Sequence, residues 1–373
     1  MKKQLGIYIH IPFCLKKCGY CDFCSFVGKS GEYTSRYADE LCRRIAAAGQ
    51  TAKDYTVDTV YFGGGTPSLM AASNIDRILG AVRAGFDVAD GAEITLECNP
   101  ATADERYFRE IRAHGVNRLS MGMQSALDSE LRLLGRAHNR EEFLHCFADA
   151  RAAGFDNVSV DLMYGIPDQT PKSLARSVEL LISLSPEHIS AYGLMIEDGT
   201  PFARNIDNLS VADDDGQAEM YLYLCRALRE AGYERYEISN FARKGRESRH
   251  NTRYWLGSEY LGFGVAAHSY FGGERYGNSR DIDAFMDGKD ICCERDSVLG
   301  DEVRREYVML RMRMSEGVSI ADYTERFGGD FLADFPQIQE WVSRGFINYR
   351  DGRVSFTDNG ALLSNVLLSE MLA

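Results

Sequence analysis

Several features that would place a chain early are missing here. No uninterrupted apolar run approaches the ~20 residues needed to cross a bilayer. The opening MKKQLGIYIHIPFC has the charge and apolarity of an export signal but no small-residue cleavage site, and cleavage beyond it would strand the cysteines that follow, so a strand is expected there. Basic charge is in deficit, with 42 Lys and Arg against 55 Asp and Glu for a net −13. That argues against sequence-independent nucleic-acid binding, which needs a basic surface to displace counterions. No low-complexity tract is present, and nothing repeats beyond an alternation of strand-like and helix-like stretches. The ten cysteines in 373 residues are not a disulfide framework in a chain without an export signal; they imply a reducing, cytoplasmic setting. A hydrophobic content of 45% and a mean hydropathy of −0.29 fit a globular chain long enough for one large domain or two.

What is present is one short run near the amino terminus. IPFCLKKCGYCDFCSF carries Cys14, Cys18 and Cys21 at the spacing CxxxCxxC, directly after the apolar stretch LGIYIHIPF. A loop leaving a strand turns three sulfurs at that spacing toward one centre. Thiolates are soft donors, suited to zinc or to an iron–sulfur cluster. Closed structural zinc sites usually take four ligands in two separated pairs, and no second separated pair follows. Three sulfurs on a four-iron cubane leave one iron open, as catalytic metal sites keep a position for substrate. The run therefore reads as a redox cluster that binds a further group. Cys24 makes another CxxC and is expected to be a free thiol.

CxxxCxxC with Tyr20 before the last cysteine resembles the cluster loop of radical S-adenosylmethionine (SAM) proteins. The wider string YIHIPFC is similar to the branch that contains the oxygen-independent coproporphyrinogen III oxidases and the heme chaperones of the HemW type. The oxidases' extra cysteine follows the third ligand by two residues, whereas Cys24 follows Cys21 by three. The resemblance implies a [4Fe-4S] cluster on Cys14, Cys18 and Cys21, SAM chelating the open iron through its amino and carboxylate groups, and a reductant for the cluster. Cleavage of the sulfonium to a 5′-deoxyadenosyl radical is then chemistry that the cofactor brings.

Along the chain, six apolar stretches (IYIHI, VDTVYFGGGTPS, EITLECNP, VNRLSMGMQS, NVSVDLMYG, HISAYGLM) alternate with helix-periodic segments. This is the pattern of an α/β parallel sheet with right-handed crossovers. Six units are too few to close an eight-stranded barrel, so a partial (β/α)6 TIM-like barrel is expected over 1–237. The strands read as continuous apolar runs, as when both faces are covered by packing. From 238 to 298 the sequence turns rich in Gly, Tyr and Arg and is expected to form a second module laid against the barrel, not a seventh unit. Residues 299–373 read as helices plus a hairpin turning at Asp351-Gly352, a winged-helix-like domain of the type found at the carboxyl terminus of these oxidases; the absence of a basic recognition helix points to packing or interaction, not DNA.

In parallel β/α barrels functional residues gather at the carboxyl ends of the strands. The second stretch ends in Gly63, Gly64, Gly65, Thr66 and Pro67, which is either a plain tight turn or a close approach of backbone to a polar ligand. The third ends in Glu97 and the fifth in Asp161, carboxylates able to accept from ribose hydroxyls or an ammonium. Gln124 offers donor and acceptor, and Arg136 a fork for a carboxylate. Their order resembles the SAM-binding positions of the family, which implies that role for Tyr8, Gly64, Gly65, Thr66, Glu97, Gln124, Arg136 and Asp161. Met195 would offer its backbone to the adenine, and Tyr20 would pack on the nucleoside. His10 either tunes the cluster, faces the cavity or is a satisfied core histidine. His250 lies in HNTRYW, a string of the form HNxxYW that is similar to the heme-chaperone branch; an imidazole with adjacent aromatics either ligates heme iron or lines a flat porphyrin slot, or else bonds locally in a loop, and His268 in GVAAHSY is a rival ligand.

The resemblance runs over essentially the whole chain. It implies a protein that binds a cluster, SAM and heme and hands heme to an acceptor protein. The alternative is oxidative decarboxylation of coproporphyrinogen III, with hydrogen abstraction β to a propionate and loss of carbon dioxide to a vinyl group. A radical heme-degrading methyltransferase is a third reading. The cysteine pattern, HNTRYW and a start close to the first strand, where the oxidases carry an extension, favour the chaperone.

Overall fold

A computed structural model describes residues 2–29 and 31–372. Its frame is one sheet containing the six expected strands, β1 (Lys3–Ile11), β2 (Tyr55–Gly64), β3 (Asp87–Cys98), β4 (Arg118–Gln124), β5 (Val158–Tyr164) and β6 (His188–Gly193), paired in parallel in that order. The crossovers run through α1 (Gly31–Gly49), α2 (Ala72–Gly85), α3 (Glu105–Ala113), α4 (Asp128–Leu134), α5 (Arg140–Ala152) and α6 (Pro171–Leu184), and α7 (Asp214–Glu230) follows β6. Local chemistry fixes the helix ends. Asn139 and Glu142 form a capping box at α5, Thr170 caps α6 with Pro171 at its first position, and Gly135 closes α4 in the left-handed conformation. Ile7, Ile9 and Ile11 of β1, Val60 and Phe62 of β2 and Leu96 of β3 are all fully buried in the core beneath the helices.

Two expectations are corrected. The alternate residues of these strands are not apolar: Tyr8, Thr59, Tyr61, Glu97, Arg118, Ser120, Asp161 and Ser190 sit on the other face, where Tyr61 bonds Glu97, and Ser120 and Ser190 bond Asp161. The strands are thus apolar outside and polar inside, which is what a ligand-holding barrel needs. The segment expected as a module on the barrel widens the sheet itself, and the widening begins just before 238. β7 (Glu234–Arg235) and β8 (Asn240–Ala242) extend the sheet beyond β6, while β9 (Tyr260–Phe263) pairs in parallel with β1 and is a seventh parallel strand. β10 (His268–Phe271), β11 (Glu274–Asn278) and β12 (Cys292–Ser297) then continue antiparallel from β9. The twelve strands run β12-β11-β10-β9-β1-β2-β3-β4-β5-β6-β8-β7 and leave the barrel open.

One helix of the middle segment, α8 (Arg249–Trp255), plugs the lumen at the level of Gly6 and Thr59. The Glu93 carboxylate accepts from the amides of Arg249 and His250 at 3.1 and 3.0 Å, drawing the helix N-terminus inward. Arg253 pairs with Asp58, and its stem lies where a Cβ on Gly6 would sit. In the tail, Val318–Ser319, Ile347–Arg350 and Arg353–Phe356 form a three-stranded sheet among short helices. Asp351 (φ 51°) and Gly352 (φ 71°) turn its hairpin as expected. No helix among the described residues is long and apolar enough to cross a membrane.

Candidate functional site

The cysteine loop leaves β1 at the carboxyl end of the sheet. Its neck is closed by Phe13–Cys14 pairing in parallel with Phe26–Val27. His10 is buried and braces the loop from below: its Nε2 reaches the Cys24 carbonyl at 3.0 Å, so it carries the proton there, and Nδ1 accepts from the Tyr8 hydroxyl at 3.0 Å. His10 is therefore a strut between strand and loop. The GGGTP turn clamps the other side, with the Gly65 amide on the Ile11 carbonyl (2.9 Å) and the Thr66 amide on that of Phe13 (2.7 Å). Gly64 has φ 113°, and a Cβ there would come within 2.5 Å of the His10 ring. Only glycine lets the backbone pass the imidazole at that point.

The three thiols are free and partly exposed. Thr66 Oγ1 lies 3.6 Å from Cys14 Sγ and Arg136 Nη1 lies 3.8 Å from Cys18 Sγ, so two sulfurs face donors suited to thiolates. Burial pushes the Cys21 thiol up, and Cys18 and Cys14 are close enough to add to that effect. Among the described residues no three His, Cys, Asp or Glu side chains converge as ligands of a single metal ion. Donor set, exposure and facing N–H and O–H groups fit the cluster.

Around this loop the other expected residues line the mouth. Glu97 is half-buried at the mouth; its Oε1 accepts from the Tyr61 hydroxyl (2.8 Å) and its Oε2 from the Gly64 amide (3.1 Å). Burial raises its carboxyl to about 7 despite those bonds, with Asp161 contributing. Asp161 is likewise raised by burial and accepts from Ser120 at 3.3 Å. Gln124 ends β4 with φ 65° at a register shift, a strained conformation of the kind that gathers at ligand sites. Arg136 does not offer a free fork: it holds the Gly122 carbonyl (3.0 Å), the Tyr20 hydroxyl and Cys18 Sγ, leaving buried Nε without a partner. Met195 is 71% exposed beyond β6, while Tyr20 packs near Phe202.

His250 stands apart from this mouth. It is buried in α8, with Nδ1 on Thr59 Oγ1 and Nε2 on the Tyr254 hydroxyl, both at 2.9 Å. Its ring stacks on Tyr61 at 5.2 Å, and burial drops its pKa to about 3. Both nitrogens are occupied here, as in a histidine that bonds locally, and the ring forms part of the plug. A cavity of about 1310 Å³ also lies at that end, lined by Lys3, Asp58, Glu93 and Arg249, away from the cysteines. The lumen groups Tyr61, Arg118, Ser120 and Ser190 were missed in the sequence. The period-two alternation in VSVDLMY and RLSMGMQ was the available signal.

Comparison with known proteins bears on the fold and the family. Residues 8–181 match the radical SAM superfamily and residues 299–363 the HemN C-terminal domain. The fold superposes on coproporphyrinogen III oxidase (HemN) from Escherichia coli, a radical SAM enzyme, with TM-score 0.86 over all of this chain and 90% of that one, at 22% identity. Fold and cysteine loop thus define a protein of the radical SAM class. At the sequence level the chain is 34% identical to the heme chaperone HemW of Mycobacterium tuberculosis over 99% of this chain and 95% of that one. It is 34% identical to HemW of Bacillus subtilis over 98% of each, and 33% to HemW of E. coli over 99% and 98%. The chain belongs to the HemW family.

Proposed function

We propose that this chain binds a [4Fe-4S] cluster, SAM and heme, and acts as a heme chaperone that passes heme to acceptor proteins in a reducing compartment such as the cytoplasm. The observation that carries the reading is the end-to-end likeness to relatives named heme chaperone HemW. Cys14, Cys18 and Cys21 would hold the cluster, with Thr66 and Arg136 donating to its sulfurs. Tyr8, Gly64, Gly65, Glu97, Gln124 and Asp161 would hold SAM, Glu97 and Asp161 as acceptors and Gln124 as donor and acceptor. Arg136 would offer the unpartnered Nε–H, and Tyr20 and the backbone at Met195 would flank the nucleoside. When bound, the cluster and SAM supply one-electron chemistry; the chain orients them and shields them within a polar lumen. Large apolar side chains left exposed on the loops of the mouth, Leu15, Phe23 and Met195, give a flat apolar ligand or an acceptor a surface to meet. We divide the chain into a barrel to 237, a segment 238–298 that widens its sheet, and a tail from 299.

Direct transfer tests the reading. Heme-loaded protein mixed with an apo heme protein should lose its heme to the acceptor, at a rate above that of free heme release. Retention of heme on this chain, or failure to bind it, contradicts the proposal. The shared fold with the oxidase keeps decarboxylation as the second reading.

A further inference from the structure

One row of residues crosses the antiparallel extension at a single height. Tyr8 of β1 pairs with Gly262 of β9. The register Tyr260↔Tyr270 sets His268 of β10 opposite Gly262. His268 pairs with Gly277 of β11, and Gly277 with Glu294 of β12. Directly opposed residues share a face of a sheet, so His268 and Glu294 project to the same side as Tyr8, the lumen side, and the histidine has a glycine on each flank. Glu294 reaches back across Gly277, where a Cβ would collide with its carboxylate, and its Oε1 lies 3.0 Å from His268 Nδ1. The two side chains are 62% and 59% exposed.

A carboxylate on Nδ1 holds the imidazole with its Nε2 lone pair pointing away, which is how metal-ligating histidines are oriented. Among the described residues that Nε2 has no bonding partner. His10, His188 and His250 are buried with both nitrogens engaged. His114 also meets a carboxylate, Asp76 at 3.0 Å, but it ends α3 and precedes β4, at the opposite end of the barrel. Of the two glycines beside His268, Gly277 lies beneath the Glu294 carboxylate and Gly262 packs against the His268 backbone, so neither adds a side chain of its own beside the ring. Arg280, in the loop after β11, bonds Asp22 of the cysteine loop at 3.3 Å and ties this strip to the mouth.

We propose that His268, oriented by Glu294, is the axial ligand to the iron of the heme cargo. This rests on the reading of the chain as a heme carrier. Nε2 donates its lone pair to the iron and Nδ1–H donates to the Glu294 carboxylate, so no redox partner is required. The test is heme titration of the full chain, read by the absorbance of bound heme and by the electron paramagnetic resonance of its ferric form, for the unaltered protein, His268→Gly, Glu294→Gln and His114→Ala. His268→Gly should weaken binding at least tenfold and lose the imidazole signature, with added imidazole restoring it. Glu294→Gln should keep the ligand and bind several-fold more weakly, and His114→Ala should match the unaltered protein. An unchanged affinity and spectrum in His268→Gly overturns the assignment and leaves the carrier reading standing. No heme binding by the unaltered protein overturns the carrier reading, and the ligand with it.

Discussion

A carboxylate half-buried at the mouth, as Glu97 is, carries its charge only when the solvent is basic enough or when a cation arrives. With its titration near 7, the anionic form that an ammonium would meet is depleted as pH falls. SAM affinity measured by calorimetry should therefore drop several-fold from pH 8 to pH 6, and Glu97→Gln should bind weakly at both. A flat profile in the unaltered protein would remove Glu97 from the ammonium site. The same shift has a stability sign. The folded value lies above the ordinary 4.5, so the folded chain keeps a proton that the unfolded chain releases, and the SAM-free protein loses stability as pH rises from about 4.5 to about 7. Glu97→Gln should flatten that part of a melting-temperature profile. Gly64 makes a steric prediction instead. Gly64→Ala puts a methyl group into the His10 ring at φ 113°, a strain of about 1–3 kcal/mol. The variant should reconstitute less iron than the unaltered chain.

At the scale of elements, α8 separates a structural histidine from a ligand. Removing His250 strands the Thr59 and Tyr254 hydroxyls and empties a buried ring site, at a cost of about 2–4 kcal/mol. His250→Ala should show that loss in urea unfolding while retaining heme affinity; loss of heme binding at unchanged stability would make it a ligand. In the tail hairpin, Gly352 at φ 71° predicts that Gly352→Val destabilises by roughly 1–2 kcal/mol, read in the same experiment. These two elements also show what the sequence disclosed. Asp351-Gly352 was legible because a two-residue turn is a local event, and the six β/α units were legible because each spans a few tens of residues. β9 was not: it pairs with β1 across some 250 positions, and nothing local to YLGF announces that partner. The polar lumen was misread because apolar neighbours dominate each strand, hiding the alternate Tyr, Thr, Glu and Ser that face inward. HNTRYW singles out His250 without showing where its ring nitrogens are spent.

For the whole molecule, the proposed function puts the cluster on the three cysteines at the mouth and SAM in the polar lumen below them. Anaerobic reconstitution should give about four irons per chain, and Cys18→Ala should lose the cluster's visible absorbance. Full cluster content in that variant would displace Cys18 from the ligand set. Since the fold is shared with an oxidase and the sequence with chaperones, the discriminating observable is the fate of the tetrapyrrole. Reconstituted protein incubated anaerobically with SAM, dithionite and coproporphyrinogen III, with and without heme, should return the substrate with all four propionates intact and bind the added heme. Formation of protoporphyrinogen IX would contradict the account.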